Sequence, residues 1–333
     1  MFILNSYALA VLFCIVTMFC WGSWANTQKL ARKDWRFELF YWDYTLGVLL
    51  ISLIFGLTLG NTGGAGRAFF ADLAQADSDV LMSALIGGVI FNAANILLVA
   101  AIDIAGMAVA FPVGIGLALV LGVVVNYIDT PVGDPVLLFL GVGLVVVAIV
   151  IDAAAYRRLP SQGSGLSAKG LILSLACGVL MGFFYRFVAQ AMASDFSNPE
   201  AGKLGPYAAV MVFSVGILIS NFVFNSFIMY RPFRGDPVAP ADYLKGDLKI
   251  HSIGILGGCI WGIGMTFSII ASGPAGVAIS YGLGQGATMV AAVWGVFVWK
   301  EFKDAPAGTN KLISLMFASF VAGLMCIVLA RNA

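Results

Sequence analysis

Ten apolar runs of about 20 residues follow one another along the chain, each long enough to cross the roughly 30 Å hydrocarbon core of a bilayer as a helix. The composition agrees, because 61% of the 333 residues are hydrophobic, 11% are charged and the mean hydropathy is +0.97. Such a chain has too little polar surface for a soluble globule. We therefore predict an all-α polytopic membrane protein with ten transmembrane helices, near residues 6–25, 41–60, 81–101, 107–127, 135–153, 170–192, 207–229, 251–271, 276–299 and 310–330.

The two halves of the chain carry a related helical hairpin. Shifting residues 87–123 by 170 positions places eleven of the 37 residues on identical ones in 257–293, and glycines coincide at the helix start, in the turn and within the second helix. Five helices per half is an odd number, so the second half must enter the membrane from the opposite side. The sequence predicts two inverted five-helix repeats, 1–156 and 170–333, joined by a cytoplasmic linker at 157–169. Secondary transporters are built in this way around one midplane site.

Basic residues are concentrated in the loops after helices 1, 3, 5, 7 and 9. These loops hold 14 of the 18 Lys and Arg residues, and such an excess is typical of the cytoplasmic side. We therefore expect Arg157 and Lys245 to be cytoplasmic and both termini to lie outside, in a bacterial inner membrane. No basic residue precedes the first apolar run, which is expected to stay as an anchor.

Several polar and aromatic side chains fall inside the apolar runs, where an unpaired polar group costs a few kcal/mol. Asn92 and Asn95 lie one turn apart and either bond neighbouring helices or face a pocket. Trp24 either belongs to an interfacial aromatic belt or stacks on a sugar or flat heterocycle. Arg186 either reaches the outer surface or faces a cavity or carboxylate. The predicted walls of a substrate cavity are Trp24, Asn92, Asn95, Tyr185, Arg186, Trp261, Tyr281 and Gln285.

The sequence shows no constellation for catalysis. A membrane enzyme needs a nucleophile with a base, a metal cluster or a carboxylate pair, and the chain has one histidine, His251, and neither a GxSxG nor an HExxH motif. The five cysteines have no CxxC spacing and are interpreted as small apolar residues. We expect no enzyme activity, cofactor, metal site or nucleic-acid partner. The expected partners are a small-molecule solute and the lipid bilayer.

Longer motifs occur in a fixed order: WGSWANTQKL, WDYTLGVLL, a run from Gly87 through AGMAVAFPVGIG to VVNYID, then PADYLKGD and QGATMVAAVWGVFVWKE. In order and spacing they resemble the ureide permeases, a branch of the drug/metabolite transporter superfamily close to the bacterial glucose and rhamnose porters. The long central cytoplasmic loop of the plant members is absent from the sequence. The resemblance implies a ten-helix uptake carrier for a small polar molecule, and it matches family positions at Trp24, Asp43, Tyr44, Asn95, Asn126, Tyr127, Gln285, Trp294, Gly295 and Glu301.

Ionisable residues bear on how such transport would be driven. Asp43, Asp152 and Glu301 are expected near the cytoplasmic boundary, whereas proton carriers normally use carboxylates or histidines near the midplane. Where the plant pattern places acidic residues in helices 4 and 9, this chain has Phe111 and Gly282. We expect either facilitated diffusion or proton symport with Asp43 as the coupling residue. The expected function is import of a sugar, nucleoside or ureide by alternating access, and the alternative is export of drugs or metabolites.

Overall fold

The computed structural model describes residues 1–32, 34–159 and 167–332. Within these residues, ten helices are long and apolar enough to cross a membrane, and no β-strand is present, so the predicted all-α polytopic fold is confirmed. The helices are α1 (Tyr7–Leu30), α2 (Phe37–Asn61), α3 (Ser78–Ala105), α4 (Phe111–Asp129), α5 (Pro135–Tyr156), α6 (Ala168–Ala191), α7 (Pro206–Tyr230), α8 (Leu248–Ala275), α9 (Val277–Val298) and α10 (Thr309–Leu329). Most of the predicted linker at 157–169 lies outside the described residues.

Helix pairing stays the same when the two halves are exchanged. Helix α3 packs on α6 and α7, just as α8 packs on α1 and α2, and α2 packs on α7, α4 on α9 and α5 on α10. The turns agree as well, because Gly106 before α4 and Gly276 before α9 both have positive φ, 77° and 87°. This arrangement fits the predicted inverted repeat. It also interleaves the halves, since each of these pairs joins a helix of one half to a helix of the other.

Close backbone contact explains why certain glycines recur in both halves. A Cβ at Gly88 in α3 would overlap the carbonyl oxygen of Phe213 in α7. Its counterpart, Gly258 in α8, meets the carbonyl oxygen of Tyr44 in α2 in the same way. Small residues allow such close approach in a bilayer, where packing rather than the hydrophobic effect brings helices together.

Besides the short 3₁₀ turn Leu59–Asn61 at the end of α2, three helices contain segments that are not α-helical. Helix α1 ends as a 3₁₀-helix over Trp24–Leu30, and α4 begins with a π-helical turn over Phe111–Ile115 that includes Pro112. Helix α9 is interrupted at Gln285 and Gly286. Irregular backbone at membrane depth occurs where it is buried in protein or lines a cavity. Pro112 accounts for the irregularity in α4, because proline has no N–H to donate to the helix, whereas the irregular segments of α1 and α9 contain no proline.

Candidate functional site

The three irregular segments border a common cavity of about 300 Å³. This volume is at the lower end of the range for small-molecule sites. Aromatic side chains form much of its wall, namely Trp21, Trp24, Phe37, Phe91, Phe111, Phe184 and Trp261. The polar side chains of the wall are Gln28, Asn95, Gln285 and Thr288. None of the described lining residues is charged, so the cavity offers hydrogen bonds and apolar surface without a counter-ion.

Gln285 brings an unpaired amide to the cavity. It lies at the interruption of α9, is 8% exposed, and its side chain makes no hydrogen bond to the described residues. The nearby Thr288 hydroxyl donates to the backbone oxygen of Gln285 at 3.0 Å and leaves the amide free. A carboxamide both donates and accepts hydrogen bonds. Because Gln285 lines the cavity, its amide is available to a solute there.

Asn95 also borders the cavity, and a hydrogen-bond network fixes its side chain on the side away from the cavity. Its Nδ2 donates to the Tyr41 hydroxyl at 3.0 Å, and that hydroxyl donates to Asn92 Oδ1 at 2.9 Å. Asn92 Nδ2 in turn donates to Ser220 Oγ at 2.9 Å. Asn92 therefore joins α3 to α2 and α7 behind the wall. The carboxamide oxygen of Asn95 has no partner among the described residues and is free to accept from a solute.

Tryptophan side chains provide the flat surfaces of the cavity. The Trp261 ring lies 4.3 Å from Phe91 and stacks on Trp21 at 5.8 Å, and Trp24 packs against Tyr44 at 4.6 Å. The indole nitrogen of Trp21 donates to the Trp261 backbone oxygen at 3.3 Å. Those of Trp24 and Trp261 have no partner in the described part of the chain. Such rings combine an apolar face with a polar edge, which suits solutes that contain a ring.

The cavity lies next to a second one, on the side of the basic loops. A second cavity of about 520 Å³ shares Gln28, Phe37 and Val99 with the first. Its wall extends to Asp34 and Arg234, which are exposed at that face. A solute in the central cavity would therefore reach the basic face through a charged vestibule.

Tyr185 and Tyr281, both predicted as cavity walls, lie beyond the cavity toward the opposite face. The Tyr281 hydroxyl is 3.1 Å from the backbone oxygens of both Ala118 and Met181. The Tyr185 hydroxyl is 3.0 Å from Ser268 Oγ. Both tyrosines are fully buried and neither borders the cavity. They join α4, α6, α8 and α9 and so close the bundle on that side.

Arg186 likewise contacts a carboxylate instead of the cavity. Its Nε and Nη2 donate to the two Asp129 oxygens at 2.5 and 2.9 Å, and Gln190 Nε2 adds a third bond at 3.0 Å. This bidentate pair joins the ends of α4 and α6, and the Arg186 side chain is 37% exposed. Of the three alternatives left open by the sequence, namely the outer surface, a cavity or a carboxylate, the structure shows a carboxylate partner for a partly exposed Arg186 that does not border the cavity.

Asp43, the predicted coupling residue, belongs to a separate buried cluster. Its carboxylate is 1% exposed, accepts from the Tyr243 hydroxyl at 2.5 Å and lies 2.9 Å from His251 Nδ1. Burial and the adjacent carboxylate raise the pKa of the Tyr243 phenol. His251 thus pairs with a carboxylate that lies 208 residues away in the chain, on α2. Asp43 borders neither of the two cavities.

The sequence and the fold of this chain are similar to those of known proteins. A family model described as ureide permease matches residues 40–168 and 164–331. Ureide permease 1 of Arabidopsis thaliana is 22% identical over 380 residues, covering 97% of each chain. The probable glucose uptake protein GlcU of Staphylococcus aureus is 24% identical over 184 residues, covering 54% of this chain and 56% of that protein. A solved crystal structure has the same fold, with a TM-score of 0.64 at 16% identity over 98% of this chain and 99% of that one.

Proposed function

Because the chain belongs to the ureide permease family, we propose that it is a secondary carrier that imports a small neutral polar solute through the central cavity. The family relationship and the ten apolar helices make it an integral membrane permease and not an enzyme. Within this proposal it is a member of the drug/metabolite transporter superfamily. Its basic loops face the cytoplasm and both termini lie outside.

The observation that carries the proposal is an uncharged aromatic cavity with unpaired amide groups. The Gln285 carboxamide and the Asn95 oxygen are available to a solute, and aromatic rings surround them. An ionised solute would lose its hydration there without meeting a counter-charge, which is unfavourable in a low-dielectric site. A ring that bears several hydrogen-bonding groups and no net charge fits best. We therefore propose a sugar, a nucleoside or a ureide as the solute.

The state of the cavity supports alternating access. We infer that it opens to the basic face through the second cavity, since the two share lining residues, and that the contacts of Tyr185, Tyr281 and the Arg186–Asp129 pair close it toward the other face. With the basic face in the cytoplasm, this is the state that releases an imported solute. The exchangeable packing of the halves supports a second state, open to the outside, in which the roles of the halves are reversed. Asp43 does not border the cavity, so proton coupling by Asp43 would require a change in the packing of α2 and α8, the helices that its contact with His251 joins.

Uptake of radiolabelled sugars, nucleosides and ureides into proteoliposomes tests the proposal. We expect saturable uptake of one neutral class and exclusion of its charged analogues. Asn95→Ala and Gln285→Ala should each raise the KM tenfold or more, since losing a buried hydrogen bond costs about 1–3 kcal/mol. Asn126→Ala is the matched control, because this buried amide donates to the Gly122 backbone oxygen and does not border the cavity.

Equal amounts of folded protein should be reconstituted for each variant, so that lower expression is not read as weaker binding. An unchanged KM in both Asn95→Ala and Gln285→Ala would contradict the assignment of this cavity. Preferential transport of charged solutes would contradict the proposed solute class. Transport that runs only from the cytoplasmic to the external side, in vesicles of defined protein orientation, would favour the export alternative.

A further inference from the structure

Arg67 joins two loops at the face opposite the basic loops. It belongs to the α2–α3 loop, residues 62–77, and its side chain is 22% exposed. Its guanidinium donates to three backbone oxygens of the α6–α7 loop, residues 192–205, namely those of Pro199, Glu200 and Lys203, at 2.8, 3.0 and 2.5 Å. These two loops, here called the outer loop pair, come from different halves of the chain. Arg67 therefore connects the two halves.

Further hydrogen bonds join the outer loop pair. Gln75 Nε2 donates to the Lys203 backbone oxygen at 2.9 Å, and Gln75 Oε1 accepts from the Gly202 amide at 2.7 Å. The Asp77 amide donates to the Gly202 backbone oxygen at 2.9 Å. Hydrogen bonds from a charged donor are roughly twice as strong as those between neutral groups. We therefore expect Arg67 to contribute most to this contact.

The basic face carries the inverted counterpart of this contact. Gly47 of α2 and Gly216 of α7 occupy equivalent places in the two halves, because a Cβ on either would overlap a backbone oxygen, in α8 and α3 respectively. Arg67 follows Gly47 by 20 residues, and Asp236 follows Gly216 by 20 residues. The Asp236 backbone oxygen accepts from Arg36 Nη1 at 2.7 Å. An arginine thus bridges the equivalent loops at both faces, although the loop that supplies it is exchanged.

The two loops at the basic face, here called the inner loop pair, are joined less closely. They are the α1–α2 loop, residues 31–36, and the α7–α8 loop, residues 231–247. Arg36 Nη2 is 3.4 Å from the Arg234 backbone oxygen, and among the described residues no hydrogen bond other than those of Arg36 joins the two loops. Residues of both loops line the second cavity of about 520 Å³. One loop pair is therefore joined, and its inverted counterpart borders an open space.

Each arginine keeps a carboxylate partner on its own side of the contact. Arg67 pairs with Asp72 of its own loop at 2.9 Å. Arg36 donates through Nε and Nη2 to the two oxygens of Glu38, at 3.1 and 2.5 Å. The bonds that cross to the other loop go to uncharged backbone oxygens. Separation of either loop pair therefore leaves no charge unpaired, which would otherwise be the largest cost of opening.

We propose that the two loop pairs are the gates of the carrier and that Arg67 and Arg36 hold them closed. In this structure Arg67 holds the outer loop pair together while the inner loop pair stays apart. When the halves exchange roles, Arg67 releases the α6–α7 loop and the inner loop pair closes through Arg36. The inference rests on the proposed function in taking the central cavity as the path of the solute.

Labelling of a single cysteine in the central cavity tests the outer gate without any solute. Ala291→Cys in a cysteine-free background places a thiol at the cavity wall. An impermeant maleimide added at the face where exposed Asp77→Cys reacts should label it only when the outer loop pair separates. Arg67→Ala should speed this labelling at least about tenfold, the population shift expected from losing one hydrogen bond to a charged group. Gln75→Ala should add to the effect, because Gln75 also bonds to the α6–α7 loop.

Arg331→Ala is the matched control. Arg331 is an exposed arginine of the same face, and it donates to the Pro274 backbone oxygen within its own half. Its removal should leave the labelling rate unchanged. Arg36→Ala should slow labelling, because the inner loop pair then closes less firmly. An unchanged rate in Arg67→Ala combined with Gln75→Ala, an equal increase in Arg331→Ala, or faster labelling in Arg36→Ala would overturn the proposal.

A cross-link across the outer loop pair provides the second measurement. Asp77→Cys and Ala201→Cys place thiols at exposed positions beside the backbone bond from Asp77 to Gly202. Joining them with a short, reducible thiosulfonate reagent should stop solute uptake, and a reductant should restore it. The matched cross-link, between Asp195→Cys and Asn198→Cys, lies within a single loop, where the native side chains are 3.2 Å apart. It should leave uptake unchanged.

The two measurements separate failure of the gate from failure of the proposed function. Uptake that continues through a complete cross-link between positions 77 and 201 would overturn the gate and leave the proposed function intact. Labelling needs no solute, so absence of uptake leaves the test of the gate intact. Size-exclusion profiles and thermal unfolding verify that each variant is folded.

Discussion

Two stacked tyrosines of α2 form a matched pair for testing the network behind the cavity. Tyr41 and Tyr44 are both fully buried, and their rings lie 5.1 Å apart. The Tyr41 hydroxyl bonds Asn92 Oδ1 at 2.9 Å and Asn95 Nδ2 at 3.0 Å. The Tyr44 hydroxyl has no partner within the described chain. The same change to phenylalanine therefore removes two hydrogen bonds at one position and none at the other.

The expected difference in stability follows from these contacts. Interhelical hydrogen bonds in membrane proteins average about 0.6 kcal/mol and reach about 1.7 kcal/mol, so Tyr41→Phe should lower the free energy of unfolding by about 1–3 kcal/mol. Tyr44→Phe removes a buried hydroxyl that is not satisfied, so it should be neutral or stabilise by up to about 1 kcal/mol. Tyr41→Phe should also raise the KM severalfold, because Asn95 loses the contact that orients its carboxamide.

Unfolding of the purified protein in a mild detergent, followed by tryptophan fluorescence, measures both variants against the native chain. The reasoning requires the order Tyr41→Phe, native, Tyr44→Phe in increasing stability, with native and Tyr44→Phe allowed to coincide. Equal losses in the two variants would show that the two hydrogen bonds of the Tyr41 hydroxyl add no stability. Native stability and native KM in Tyr41→Phe would refute the network.

Two further predictions concern helix packing and orientation. Gly258→Val should abolish folded, monodisperse protein, because the valine side chain would overlap the Tyr44 backbone oxygen. Gly143→Ala, on the open side of α5, should be neutral or stabilising by up to about 1 kcal/mol. Size-exclusion profiles measure both variants, and a well-folded Gly258→Val protein would disprove the close contact. Single cysteines at Arg157 and Lys245 should be labelled by an impermeant maleimide only from the cytoplasmic side, and labelling from outside would invert the proposed topology.

The membrane fold could be predicted from the sequence because its signals are local. Run length and hydropathy identify a spanning helix without knowledge of its neighbours. The recurrence of Gly88 at Gly258 marked the places where backbones touch, since a close contact excludes every side chain larger than hydrogen. The repeat, the helix count and the family resemblance all follow from such signals.

The candidate site could be predicted only in part. Trp24, Asn95, Trp261 and Gln285 border the cavity, as expected from polar and aromatic residues inside apolar runs. Tyr185, Tyr281, Arg186 and Asn92 came from the same signal and contact other helices instead. In lipid, a polar side chain is directed inward by either a cavity or a neighbouring helix, so its presence in a helix does not distinguish the two.

Tertiary structure alone decided which distant groups meet. Nothing in the sequence joins Asp43 to His251, 208 residues apart, or Lys29 to Glu301, 272 residues apart. These pairs form because α8 packs on α2 and α9 packs on α1. Helical periodicity shows which side chains share a face, but the partner of that face depends on packing between whole helices. The sequence therefore determined the helices and their repeat, and only their packing determined the cavity and the charged pairs between distant helices.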